Sequence, residues 1–109
     1  MSRLISRVLL IVIFSSLVVR AQDVVRYDDE AEKIFLDGLQ RFALQDYAGA
    51  YSTFSDVLSR YPSSQRVSAS YLMGAKSLFH LQRYDESIQL IRTFLKAYPQ
   101  SRYLADAHF

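Results

Sequence analysis

The sequence predicts an all-α protein made of tandem antiparallel helix hairpins. Residues 46–70 and 83–107 align without a gap at an offset of 37, which places the Tyr-Pro pair at 61–62 on the pair at 98–99. Within both stretches the apolar residues recur at intervals of three and four, the spacing of one helix face. The 109 residues include only three Gly and two Pro, so few positions interrupt a helix. A unit of 37 residues has room for two helices and a turn.

The first 21 residues have the pattern of a secretory signal peptide. Arg3 and Arg7 precede an apolar stretch at 8–19, and the small residues around Arg20 are typical of a cleavage site. We predict a signal peptide over 1–21, a linker over 22–28 and an exported protein. A membrane-spanning helix is less favoured because it needs roughly 20 apolar residues. The alternative is a short uncleaved anchor, so we expect membrane contact only through this leader.

The charge of the mature chain argues against nucleic acid as a partner. The full sequence carries a net charge of +2, but residues 22–109 hold ten Lys and Arg against eleven Asp and Glu, a net charge of −1. A phosphate backbone requires a clustered positive field. The chain also contains no Cys, which excludes disulfides, thiolate nucleophiles and lipid attachment through a Cys within these residues.

The first helix of the repeat region is predicted from Asp29 to Leu44. Asp29 and Glu32 have the spacing of a capping box, which marks a helix start. Three more helices are predicted at 47–61, 65–81 and 84–98, joined within each unit by the short turns at Gln45 and Gln82. Pro after Tyr61 and Tyr98 ends a helix because it lacks a backbone N–H, and we expect the serines at 64 and 101 to cap the next one. The side chains predicted to face inward on the third helix are Val67, Tyr71, Leu72, Ala75, Leu78 and Phe79.

This pattern resembles the tetratricopeptide repeat (TPR). The small residue expected where the two helices of a repeat cross falls on Gly38 and Ala75, each opposite a small residue on the second helix of its unit, Ala50 and Ser87. The resemblance implies a short right-handed solenoid behind an N-terminal signal helix. We expect the TPR-like domain to cover 29–109, with repeat 1 at 29–64, repeat 2 at 65–101 and the start of repeat 3 at 102–109.

The period and the Tyr-Pro junction resemble those of bacterial envelope TPR proteins. These are the BamD-like proteins of outer-membrane assembly and the Tol-Pal-associated coordinator of cell division. BamD-like proteins carry a lipidated Cys after the signal, and this sequence has none. The sequence therefore favours a periplasmic or outer-membrane-associated protein that is not a lipoprotein.

No residue pattern indicates catalysis, a metal or a cofactor. The two histidines, His80 and His108, lie 28 residues apart and form no ligand cluster. The carboxylates at 28–30 and at 85–86 fall near the first turn of a predicted helix, where the macrodipole favours negative charge. We expect a protein that is not an enzyme.

The class of function that remains is the recognition of another protein or peptide through an exposed surface. In the repeats that this chain resembles, the first helix of each unit lines a groove that binds a protein or peptide. The positions carried over are Glu32, Phe35, Leu39, Phe42, Leu72, Lys76, Phe79 and His80. For Phe35, Leu39, Leu72 and Phe79 a core position is the competing interpretation, and Lys76 and His80 are the stronger candidates for contact.

Two functional hypotheses follow. The first is a non-enzymatic scaffold of the bacterial cell envelope that binds another protein. The alternative is the N-terminal accessory TPR region of a longer envelope enzyme or ligand-binding protein. Because solenoids usually need three or more units, we expect further repeats or another chain to complete the stack.

Overall fold

The computed structural model describes the backbone of residues 2–99 and the side chains of residues 20–99. Four helices follow one another: α1 (Ser2–Ala43), α2 (Tyr47–Arg60), α3 (Val67–His80) and α4 (Tyr84–Ala97). Helix α2 packs against α1 and α3, and α3 packs against α4. Short connections place successive helices antiparallel. The all-α class and the TPR-like helix hairpins are confirmed.

Helix α1 is longer than predicted. The expected linker at 22–28 is helical, and Asp29 lies inside α1 rather than at its start, so the predicted capping box was wrong. The physical reason is that residues 20–30 contain neither Gly nor Pro, and nothing there stops the helix. The structure does not test whether residues 1–21 are cleaved, and this stays a prediction. Among the described residues, none of the helices is both long and apolar enough to cross a membrane.

The two turns within the hairpins have the same conformation. Gln45 and Gln82, separated by the repeat offset, both adopt φ of 63°. At the first turn the N–H of Asp46 donates to the carbonyl of Arg41 at 2.9 Å, which closes a Schellman-type helix end. Asp46 then caps α2 by accepting a hydrogen bond from the N–H of Gly49 at 3.0 Å. The predicted short turns are therefore present in both units.

The corner after α2 and the end of α4 are also equivalent. The residue after each helix, Tyr61 and Tyr98, has φ near −130°, and each N–H donates to the carbonyl four residues earlier at 2.9 Å. The described residues thus confirm that Tyr-Pro ends each helix. Ser64, by contrast, does not cap α3, whose N-cap position is Arg66; the Ser64 hydroxyl is buried without a hydrogen-bond partner. Ser101 lies outside the described residues.

Side chains of α1 satisfy the backbone of this corner instead. The N–H of Ser63 donates to the Tyr27 hydroxyl at 3.1 Å, and the N–H of Gln65 donates to Asp28 at 3.3 Å. The Tyr61 hydroxyl donates to Glu30 at 2.8 Å, which raises the pKa of Tyr61. The N-terminal extension of α1 is therefore part of the folded unit.

The core lies between α1, α2 and α3. Phe54 is fully buried and contacts Phe35, with ring centroids 5.6 Å apart. A Cβ atom at Gly38 would lie 2.6 Å from Cε1 of Phe54, so only Gly permits this approach of α1 to α2. In the second unit the hydroxyl of Ser87 donates to the carbonyl of Ala75 at 2.7 Å. The predicted crossing of Ala75 and Ser87 is therefore present in the second hairpin, whereas in the first hairpin Gly38 lies against Phe54.

Candidate partner-binding surface

Helices α1 and α3 touch along the face that the sequence assigned to a groove. At one end, the guanidinium of Arg66 binds both carboxylate oxygens of Glu32 and lies 4.8 Å from the ring centroid of Phe35. At the other end, Phe42 meets His80 edge to face at 5.5 Å. The two helices therefore form a shared surface that ends in an ion pair on one side and in aromatic side chains on the other.

The aromatic end is a ring cluster of Phe42, Tyr47, Phe79 and His80. The His80 ring stacks on Tyr47, with centroids 4.3 Å apart and planes 7° from parallel. Phe42 packs edge to face on Tyr47 at 5.1 Å, and Phe79 packs against His80 at 6.1 Å. Phe79 is 48% exposed, a large fraction for an aromatic ring. The ring cluster therefore presents apolar and π surface to solvent.

The residues predicted to line the groove differ in how exposed they are. Phe35 and Leu72 are buried in the core, 5% and 3% exposed, which is the position that the competing interpretation gave them. Phe79 was predicted to face inward on the third helix and is half exposed instead, because it lies in the last turn of α3. His80 is exposed, as expected. The partly buried members of the predicted set are Glu32, Leu39, Phe42 and Lys76.

The residues predicted from the sequence to line the groove did not include Tyr47, whose ring stacks on His80. Tyr47 follows the hairpin turn and therefore meets the ends of α1 and α3. The sequence could have indicated this position of Tyr47, because an antiparallel hairpin brings the residues on either side of its turn to the same end of the hairpin.

Several carboxylates among the described residues bind structural partners. Glu30 and Asp28 bind the corner at 61–65 rather than a helix N-terminus, which corrects the expectation for this cluster. Glu86 lies in the first turn of α4 and pairs with Arg83. Within residues 20–99, no group of three or more His, Asp or Glu side chains is placed to hold a metal ion.

The ion pair between Glu32 and Arg66 predicts a pH dependence of stability. The hydrogen bond from Arg66 lowers the pKa of Glu32 below its ordinary value of 4.5. The folded state therefore favours the ionised form of Glu32. The stability that the ion pair adds is present above pH 4.5 and is lost as the pH falls through the lowered pKa of Glu32. We expect Glu32→Gln to lose less unfolding free energy than wild type between about pH 5 and pH 3. Urea unfolding at a series of pH values measures this.

Asp56→Asn, on the exposed face of α2, is the matched control and should keep the acid response of the wild type. An identical acid response of Glu32→Gln and wild type would show that the pair contributes nothing to folding.

Together, the helix hairpins and their repeated turns define a TPR-like helical-repeat protein. The model of the YfiO family, described as outer membrane lipoprotein, matches residues 27–109, most of the chain. The chain belongs to this family, which confirms the resemblance to BamD-like envelope proteins. The match begins at Tyr27, whose hydroxyl accepts a hydrogen bond from the N–H of Ser63 in the corner at 61–65. No curated protein and no solved structure gives a significant match to this chain.

The family match can be compared with the predicted localisation of the protein. Membership of an outer-membrane lipoprotein family associates the chain with the cell envelope. It does not support the expectation that the protein is not a lipoprotein, which rested on the absence of Cys from the 109 residues. The family match likewise gives no support to the alternative of an accessory region of an enzyme.

Proposed function

We propose that this protein is a non-enzymatic scaffold of the bacterial cell envelope and that its ring cluster binds a protein or peptide partner. The observation that carries the proposal is the half-exposed Phe79 beside the His80–Tyr47 stack. Aromatic side chains with limited rotational freedom contribute much contact area at low entropic cost, and they dominate many interfaces.

The surrounding structure supports a preformed surface. Tyr47 and Phe42 hold His80 from two sides, so the ring has little freedom to lose on binding. Pre-organisation of this kind raises affinity because less ordering is required when the partner docks. Leu39 and Lys76 lie on the same two helices, about one turn before Phe42 and His80, and are partly buried.

A photo-crosslinking experiment tests the proposal. A benzoylphenylalanine at Phe79 retains a ring at that position and should form a discrete adduct with an envelope protein.

His80→Ala in the same chain removes the ring that stacks on Tyr47. We expect it to weaken binding by about tenfold, equivalent to about 1.4 kcal/mol.

The control is the same crosslinker at Ser52, which is exposed on α2 and lines the polar groove between α1 and α2. Equal adducts from both positions, or none from Phe79, would contradict the proposed surface.

A further inference from the structure

The composition of the ring cluster restricts the kind of partner that fits it. Each of its members carries an aromatic or imidazole ring, whereas surfaces that adapt to many partners are rich in Met or in flexible loops. The plane of Phe42 lies 77° from the planes of Tyr47 and His80. The plane of Phe79 lies 84° from that of His80. Rings that hold one another at these angles favour a rigid apolar ligand.

Charged side chains beside the rings are paired within the chain. Arg41 precedes Phe42 in the sequence, and its guanidinium contacts the carboxylate of Asp46 at 3.3 Å. Arg83, which precedes α4, donates to the carboxylate of Glu86 at 3.0 Å. A partner therefore needs no countercharge for these side chains, and the electrostatics at this end of the domain favour an uncharged ligand.

Hydrogen-bond donors lie beside the rings at both hairpin turns. Gln45 and Gln82 are exposed, and they lie two residues from Tyr47 and from His80 in the sequence. Each side-chain amide carries two N–H donors. A ligand that combines apolar rings with accessible backbone carbonyls complements a surface of this composition.

We infer that the partner contacts the ring cluster through an uncharged, proline-rich segment in the polyproline II conformation. This inference rests on the function proposed above for the ring cluster. The polyproline II helix has no internal hydrogen bonds, so its carbonyls are free to accept from Gln45 and Gln82. Proline-rich segments dock on aromatic-lined surfaces, and their preformed helix loses little entropy on binding.

The spacing of the rings suits the repeat of the polyproline II helix. The His80 ring centroid lies 5.5 Å from that of Phe42 and 6.1 Å from that of Phe79. Residues three apart in a polyproline II helix are separated by about 9 Å along its axis. Two prolines at i and i+3 can therefore contact the two outer rings, with His80 between them.

An acidic segment is the competing occupant of this surface. Lys76 lies one turn before His80 on α3 and carries a positive charge. Lys76 is partly buried, however, whereas the rings of Phe79 and His80 are exposed. The exposed part of the surface is therefore aromatic rather than charged, which favours the proline-rich segment.

Binding of fluorescein-labelled decaproline to the full chain tests the inference. Fluorescence anisotropy measures the dissociation constant, and we expect saturable binding. A decapeptide with Gly at every second position should bind at least about tenfold more weakly, because Gly does not hold the polyproline conformation and must be ordered on binding.

Variants of His80 show whether the rings form the site. His80→Ala removes the ring at the centre of the cluster and should weaken decaproline binding by about tenfold. His80→Phe retains a ring and should keep the dissociation constant within about twofold of wild type. The matched control is Ser52→Ala, at an exposed position in the polar groove between α1 and α2, which should leave the binding unchanged.

Three results would overturn the inference. They are the absence of saturable decaproline binding, equal binding to wild type and to His80→Ala, and tighter binding of decaglutamate than of decaproline. The third result would assign the surface to an acidic partner. A crosslinked adduct from Phe79 without decaproline binding would reject the proline-rich segment and leave the function proposed for the ring cluster intact.

Discussion

Gly38→Leu is expected to destabilise the domain by about 3 kcal/mol, the upper end of the range for overpacked cores. A Cβ at this position would lie 2.6 Å and 2.9 Å from two ring carbons of Phe54. The Phe54 ring is fully buried against Phe35 and has no space into which to move. The new side chain therefore forces α1 away from α2. Urea unfolding followed by far-UV circular dichroism measures the change.

Ala48→Leu is the control, because it adds the same side chain at an exposed position of α2. Combining Gly38→Ala with Phe54→Leu should recover part of the stability that Gly38→Ala loses, since the smaller side chain makes room for the added Cβ. An unfolding midpoint of Gly38→Leu equal to that of wild type would contradict the close helix crossing.

Phe94→Ala is expected to cost about 3–5 kcal/mol of unfolding free energy. Phe94 is fully buried with Leu72 and packs on the rings of Tyr71 and Tyr98. Its removal leaves a cavity at the centre of the second hairpin. Small domains have a total stability of only about 5–15 kcal/mol. We therefore expect Phe94→Ala to lower Tm steeply in a thermal unfolding experiment.

Phe79→Ala removes the same side chain from the last turn of α3, where the ring is 48% exposed. Because little apolar area is lost from the interior, it should cost less than about 1 kcal/mol. Equal losses for the two variants would show that burial of Phe94 does not stabilise the second hairpin.

The order and ends of the helices could be predicted because their determinants are local. Pro62 and Pro99 follow helices in sequence, and the hairpin turns at Gln45 and Gln82 recur at the same offset. The starts of helices were predicted less well. Ser64 has the chemistry of an N-cap, but its hydroxyl is buried without a hydrogen-bond partner and the N-cap position of α3 is Arg66.

The candidate surface was predicted in part. The expectation that His80 is exposed was correct, whereas its partner Tyr47 was missed because the two are 33 residues apart. Phe35 and Leu72 were assigned to the groove by their repeat positions, but neighbouring helices bury them. Apolar periodicity locates a helix face and does not say how wide the covered part of that face is.

The sequence by itself determined the helical class, the repeat unit and the small residues at the crossings, Gly38 and Ala75. Those properties depend on residue type and short-range spacing, which repeat along the chain. Only the tertiary structure decided that α1 continues past residue 29 to bind the corner, and that Tyr84 and Ile88 stay open while Tyr47 is covered. The reason is that hydrogen-bond partners and exposure are set by side chains more than thirty residues away, whose placement depends on how the hairpins pack.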